Sequence, residues 1–126
     1  MKLKKIILQT LSILFILGGI IRLLATKSLF RLFFIDMLWV DHSYFVYIYR
    51  VLGSFVILTG LIIFTISRNI EKYSELLFIL TIGFIIIGFV MMITGILTNL
   101  PLVFYFPDFV FCFIIAWYLN VIKTSL

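Results

Sequence analysis

Four long apolar segments dominate this sequence and restrict what the chain can fold into. They cover residues 3–24, 44–66, 76–97 and 102–122. Each has slightly more than about 20 residues, the length at which an α-helix crosses the hydrocarbon core of a bilayer. The connections leave little chain for a separate soluble domain. The pattern predicts an all-α polytopic membrane protein, a single domain over residues 1–126 with four transmembrane helices in an antiparallel bundle.

Composition and charge support a membrane protein. Of the 126 residues 65% are apolar and 12% are charged, and the mean hydropathy is +1.35. Soluble domains carry roughly a quarter charged residues. The formal net charge is +5, but the basic residues lie near the ends of the apolar segments, where they contact lipid headgroups. We therefore expect membrane lipids as partners and no nucleic acid.

The distribution of basic residues predicts the orientation. One side of the membrane receives most of them: Lys2, Lys4, Lys5, Arg68, Lys72 and Lys123. The other side receives Lys27 and Arg31, joined by Arg22 and Arg50 if residues near the helix ends are counted. By the positive-inside rule both termini lie in the cytoplasm, and the protein is a multi-pass protein of the cell membrane. The apolar segment after Lys5 is expected to be retained as the first helix, since no small-x-small cleavage site follows it.

The first connection, residues 25–43, is not a simple loop. Its stretch 28–40 is too apolar to be solvated and too short to cross the membrane twice. We expect an amphipathic segment in the outer interface, which either rests on lipid or packs over the helix ends. Aromatic residues at this level form one side of an interfacial belt: Trp39, Tyr44, Tyr47, Tyr49 and Tyr105.

A weak internal repeat places small residues seven positions apart. Gly53 and Gly60 in the second segment match Gly88 and Gly95 in the third, with a threonine before the second glycine of each pair. Ser12 and Gly18-Gly19 echo the pattern in the first segment. Small residues let helix backbones approach closely in lipid. The repeat therefore predicts either tight packing inside the bundle or a homo-oligomer face.

Apart from Lys4 and Lys5 at the start of the first segment, three charged residues lie inside the apolar segments: Arg22, Arg50 and Asp108. Such a charge costs about 2.5 to 3.5 kcal/mol at mid-membrane on insertion scales, so each needs a partner or a purpose. From the expected helix ends, we place all three roughly 7 to 10 Å beneath the outer surface. Asp108 is then expected to pair with one of the two arginines.

A second positive charge remains after that pairing. Asp36 or Asp41 neutralises it, or Arg22 extends to the headgroups, or an anionic ligand binds there. The cluster is thus either a structural ion pair of Arg22, Arg50 and Asp108, or a ligand site that adds Asp36 and Tyr105.

No complete reactive constellation is visible. Cys112 is the single cysteine and His42 the single histidine, and the motifs of phosphate-binding loops, zinc hydrolases and serine hydrolases do not occur. We expect no catalytic residues, no metal and no cofactor.

The segment Tyr49-Arg50-Val51-Leu52-Gly53, with Thr59-Gly60 downstream, resembles the second helix of small four-helix membrane proteins of the DoxX-like type. The layout of four spans in about 125 residues is similar too. The resemblance implies the fold and a structural role for Arg50 and Gly53. Some members of such families are membrane subunits beside quinone-linked oxidoreductases, but this chain lacks a cysteine pair and haem ligands, so no catalytic activity carries over.

The leading functional interpretation is a non-enzymatic accessory or scaffold subunit of a larger membrane complex, or a homo-oligomer. The alternative is a binder of a lipophilic ligand with a polar or anionic head, such as a quinone, an anionic lipid or a sterol-like molecule, at the outer half of the bundle. A second alternative is a small membrane enzyme that acts on such a ligand, with Asp108 or His42 as acid or base.

Overall fold

The structure, a computed structural model, describes residues 2–24, 26–32, 39 and 41–125, with the backbone alone at position 104. Within these residues it contains five α-helices and no strand: α1 (Lys2–Leu23), α2 (Lys27–Leu32), α3 (Ser43–Arg68), α4 (Ser74–Leu97) and α5 (Leu102–Thr124). The predicted all-helical fold is confirmed for the described residues.

Four of these helices are long and apolar enough to cross a membrane. α1, α3, α4 and α5 contain 22, 26, 24 and 23 residues, which corresponds to roughly 33 to 39 Å. Large apolar side chains remain exposed on all four, for example Leu17, Leu58, Ile86 and Ile114 at 52%, 50%, 56% and 57%. Apolar surface of this extent indicates lipid rather than water as the surrounding solvent. The chain is a membrane protein by the length and composition of its helices.

The helices group into two units. The N-terminal hairpin runs up to Arg68 and contains α1, α2 and α3; the C-terminal hairpin starts at Asn69 and contains α4 and α5. Each hairpin is described by itself below. The single bundle of four antiparallel helices stays a prediction.

In the N-terminal hairpin, α1 and α3 pack antiparallel through small residues. Gly19 of α1 faces Gly53 of α3 so closely that a Cβ added to Gly19 would lie 2.6 Å from the Gly53 carbonyl oxygen. Two turns further along, a Cβ on Gly60 would lie 2.9 Å from the carbonyl oxygen of Ser12. Ser12 is itself fully buried, and its hydroxyl donates to the Gln9 carbonyl at 2.7 Å. The two backbones thus approach each other because these positions lack bulky side chains.

In the C-terminal hairpin, the glycines of α4 accommodate aromatic rings of α5. A Cβ added to Gly88 would lie 2.7 Å from the Phe113 ring, and one added to Gly95 would lie 2.6 Å from the Tyr105 ring. The order of these contacts makes α4 and α5 antiparallel. Cys112 is buried nearby, with its Sγ 4.0 Å from Met91 Sδ, which fits a packing residue.

A tight turn joins α4 to α5. The Leu100 N–H donates to the Gly95 carbonyl at 3.1 Å and the Asn99 N–H donates to the Ile96 carbonyl at 3.2 Å. Asn99 has a φ of 55°. These bonds with a left-handed residue form a Schellman motif, which ends a helix by satisfying its last carbonyls. Pro101 then starts α5 as its N-cap residue, and α5 continues through Pro107.

Candidate functional site

Arg22 takes part in the contact between α1 and α3. It lies in the last turn of α1, nearer to the helix end than the predicted depth of roughly 7 to 10 Å implies. Its Nη1 donates to the Gly18 carbonyl one turn earlier at 3.2 Å. A Cβ on Gly53 would lie 2.8 Å from the Arg22 Cβ, so the arginine stem lies directly against α3. Its Nε is buried and has no hydrogen-bond partner in the described part of the chain.

Arg50 lies one turn before Gly53 on α3, so the two arginines of the N-terminal hairpin approach the same level. α3 begins at Ser43 and α1 ends at Leu23, so α3 extends beyond the end of α1 by about two turns. Arg50 is exposed at the base of this extension. Arg22 and Arg50 therefore lie within about one turn of each other along this hairpin.

The other residues of the predicted cluster, Asp108, Asp36 and Tyr105, are not part of the described contact between α1 and α3. Asp108 is an exposed residue of α5 in the C-terminal hairpin, so its meeting with Arg22 and Arg50 stays a prediction. Asp36 lies outside the described residues. The Tyr105 ring packs on Gly95 and lies 5.9 Å from the Phe109 ring, which is a packing role within the α4–α5 pair.

An aromatic cluster covers the N-terminal extension of α3. We define it as Phe30 of α2, Trp39, and Phe45 and Tyr49 of α3; neighbouring ring centroids lie 5.1 to 6.3 Å apart. Phe30 is only 5% exposed. The Phe45 and Tyr49 rings are stacked and the other pairs meet edge to face; such aromatic pairs add about 0.5 to 1.5 kcal/mol each beyond the buried area. The described part of the first connection therefore packs over the end of α3, one of the two arrangements considered from the sequence.

Two polar residues fix the ends of this connection. Asp41 accepts a hydrogen bond from Trp39 Nε1 at 2.6 Å, and its carboxylate lies 3.9 Å from Lys27 Nζ. His42 caps α3, because its Nδ1 accepts the Tyr44 N–H at 3.1 Å and its carbonyl accepts the Val46 N–H at 3.2 Å. Asp41 is thus engaged with Trp39 and Lys27.

Sequence reasoning missed several of these contacts. Phe30 was treated only as part of an apolar stretch, although the spacing of Phe45 and Tyr49, four apart, places two rings on one face of α3. His42 was considered only as the single histidine and as a candidate acid or base, although a polar side chain just before an apolar helix is a typical cap position. Among the described residues, no group of His, Cys, Asp or Glu is arranged to hold a metal ion.

Comparisons of the chain with protein-family models, with curated proteins and with solved structures found no match. The resemblance to DoxX-like proteins therefore stays a prediction, as do the roles it implies for Arg50 and Gly53.

Proposed function

We propose that this protein is a non-enzymatic membrane subunit that packs through α4 against another membrane helix, either in a larger complex or in a second copy of itself. Both termini lie in the cytoplasm in this proposal, and the first connection is an amphipathic segment at the outer interface. The four long helices form one domain. Membrane lipids surround whatever part of the helix surface the partner leaves uncovered.

Gly83 carries this proposal. Gly19, Gly53, Gly60, Gly88 and Gly95 each have a neighbouring helix against the position of the missing Cβ. A Cβ on Gly83, by contrast, would meet nothing within 4 Å in the part of the chain that the structure describes. In lipid, small residues promote helix association because they permit close backbone contact. Gly83 thus leaves a gap in the surface of α4 that none of the described residues fills.

The surroundings of Gly83 fit a helix contact. Ile79, Ile86 and Val90 lie on the same face of α4, at 60%, 56% and 57% exposure, because residues three, four and seven apart share a helix face. We call Ile79, Gly83, Ile86 and Val90 the Gly83 face. It offers large apolar side chains around a small central residue, the shape that a partner helix can fill.

The test replaces Gly83 by leucine and measures association in mild detergent, by co-purification of tagged and untagged copies and by recovery of other membrane proteins. A Cβ at position 83 meets none of the described atoms within 4 Å, so we expect the variant hairpin to fold normally. We expect association to weaken about tenfold, which corresponds to ~1.4 kcal/mol. Gly18→Leu is the matched control, because Gly18 is half-exposed too and its Cβ position meets only Arg22 Nη1 at 3.4 Å.

Recovery of the parent protein only as an isolated monomer would contradict the proposal. So would equal association of the parent and the Gly83→Leu variant, or equal loss in both leucine variants. A reporter fused to the C-terminus, which is active only in the cytoplasm, tests the orientation separately.

A second candidate function is supported by Arg22. Its buried Nε without a partner among the described residues favours a ligand with an anionic or polar head at the outer end of α1 and α3, where Arg50 is close by along α3. Asp108, Asp36 and Tyr105 belong to the same hypothesis. A quinone, an anionic lipid or a sterol-like molecule has the required polar head and apolar body.

Native mass spectrometry decides this second candidate. We expect bound small molecules on the parent protein and their loss from Arg22→Gln and Arg50→Ala. Lys27→Gln is the control, since Lys27 lies in the same hairpin and is 56% exposed. Identical bound masses on the parent and on both arginine variants would contradict ligand binding at this place.

A further inference from the structure

An open apolar groove runs along one flank of the α4–α5 pair. Its volume is about 410 Å³. Thr81 and Ala116 form its floor and are 8% and 3% exposed, while Phe78 and Ile82 on one side and Trp117 on the other form walls that are 48%, 42% and 67% exposed. The groove follows α4 for about seven residues, or roughly 10 Å. It is thus an apolar groove that is open along the surface of the α4–α5 pair.

The floor presents no unsatisfied hydroxyl group to an apolar occupant. The Thr81 hydroxyl donates to the Leu77 carbonyl one turn earlier at 2.8 Å. Ala116 contributes only a methyl group. A hydrocarbon chain can therefore lie along the floor without burying a polar group that has lost its partner, which would cost free energy.

One end of the groove is polar and positively charged. The Lys123 amino group lies 4.0 Å from the centroid of the Phe78 ring, and Asn120 lines the same end and is exposed. The N-terminus of α4 lies one turn from Phe78, and its N-cap residue Tyr73 provides no side-chain cap. Uncapped N–H groups and the helix dipole favour a negative charge. Glu75, in that first turn, offsets part of this effect.

We propose that this groove binds one acyl chain of an anionic phospholipid, whose phosphate is held at Lys123 and Asn120. Charge complementarity favours this occupant, because the Lys123 amino group over the Phe78 ring lies at one end of a groove that is lined mainly by apolar side chains. The three N–H donors of a lysine bind a phosphate well. The proposal does not depend on the Gly83 face, which lies on a different side of α4, nor on Arg22.

Trp117 provides a direct readout. The chain contains two tryptophans, so a Trp39→Phe background leaves Trp117, in the groove wall, as the only one. The protein is placed in mixed micelles with phospholipids whose acyl chains carry bromine, which quenches tryptophan fluorescence on contact. We expect brominated phosphatidylglycerol to quench Trp117 at lower concentration than brominated phosphatidylcholine, with a preference of about fivefold, typical of one lysine near an anionic headgroup.

Two lysine variants test the position of the phosphate. Lys123→Gln should remove the preference for phosphatidylglycerol. Lys72→Gln should keep it, because Lys72 lies 5.4 Å from the centroid of a different ring, that of Tyr73, and carries the same charge in the same hairpin. Circular dichroism of both variants checks that the helices are intact.

Three results would overturn the proposal. Equal quenching by the two lipids would show that the groove is an ordinary lipid-facing surface. Equal loss of preference in both lysine variants would show a general effect of net charge. Weak quenching by both lipids would show that a protein helix or a second copy covers the groove.

Discussion

The two hairpins carry the same glycine pattern but use it in opposite ways. Gly53 and Gly60 of α3 face the backbone of α1, where the nearest atoms include the carbonyl oxygens of Gly19 and Ser12. Gly88 and Gly95 of α4 face the rings of Phe113 and Tyr105. Small residues thus allow main chain to meet main chain in one hairpin, and make room for large side chains in the other. The glycine spacing identifies the contact face but not the kind of contact.

The hairpins also differ in how their ends are closed. The C-terminal hairpin turns within a few residues, through the hydrogen bonds around Asn99. The N-terminal hairpin uses a connection of about twenty residues that includes α2 and the aromatic cluster. Local backbone geometry closes the turn of the C-terminal hairpin, whereas side-chain packing of Phe30 and Trp39 contributes to closing the N-terminal hairpin.

The largest expected effect is at the backbone contact of the N-terminal hairpin. Gly19→Ala would place a methyl group 2.6 Å from the Gly53 carbonyl oxygen and 2.9 Å from the Ile57 backbone nitrogen. Neither atom can move away without shifting a whole helix. We expect the free energy of unfolding in detergent to fall by about 3 kcal/mol, the upper end for overpacking, as measured by denaturant titration. A loss below that of Gly88→Ala would break the contrast between the hairpins.

A smaller loss of stability, which a second substitution can partly restore, is expected in the C-terminal hairpin. Gly88→Ala would meet the edge of the Phe113 ring at 2.7 Å, and a side chain can change its rotamer where a backbone cannot. We expect a loss of about 1 to 2 kcal/mol, and a double-mutant cycle should show that Phe113→Leu recovers part of it. The Gly19→Ala loss should not respond to Phe113→Leu. Additivity of Gly88→Ala and Phe113→Leu would show that the ring is not what the glycine accommodates.

The turn of the C-terminal hairpin provides a third test. Asn99 has a left-handed backbone, which costs roughly 1 to 2 kcal/mol for most residues and nothing for glycine. We expect Asn99→Ala to lower the free energy of unfolding by about 1 kcal/mol and Asn99→Gly to leave it unchanged or raise it slightly. The Leu100 N–H donates to the Gly95 carbonyl, so its hydrogen exchange should be faster in Asn99→Ala than in Asn99→Gly. Equal stability of the two variants would contradict the turn geometry.

The smallest effect is expected at the end of the N-terminal connection. His42→Ala removes the side-chain cap of α3 and should cost about 0.5 to 1 kcal/mol. His42→Asn should retain most of the cap, because asparagine is a favoured N-cap residue. Faster amide exchange at Tyr44 in the alanine variant alone would support the cap. Equal exchange in the parent and both variants would show that the imidazole does not hold this N–H.

The sequence predicted helix positions well and contacts poorly. The predicted spans 44–66 and 76–97 agree to within two residues with α3 (Ser43–Arg68) and α4 (Ser74–Leu97). The agreement is close because a membrane-spanning helix requires a continuous run of about 20 apolar residues. Which residue lies opposite each glycine is determined by the packing of one helix against another, not by the local sequence. Nothing in the local pattern around Gly60 and Gly95 distinguishes a neighbouring Ser12 from a neighbouring Tyr105.

The candidate site was predictable only in part. The arginines were found because charge inside an apolar run is costly, and Arg22 does lie one turn from the level of Arg50 on α3. Its predicted depth of roughly 7 to 10 Å does not match its place in the last turn of α1, although the predicted span 3–24 ends within one residue of Leu23. The ring under Lys123 depends on the pairing of α4 with α5, which no spacing within α5 reveals.

The closest contacts between α1 and α3 have a consequence for assembly. Gly19 and Gly53 have no rotatable side-chain bonds, so bringing them together restricts no side-chain motion. Closing α4 on α5 immobilises the rings of Phe113 and Tyr105, an entropic penalty that increases with temperature. The contact between Gly19 and Gly53 therefore immobilises no side chain of these two residues, whereas the contacts of Gly88 and Gly95 each immobilise an aromatic ring.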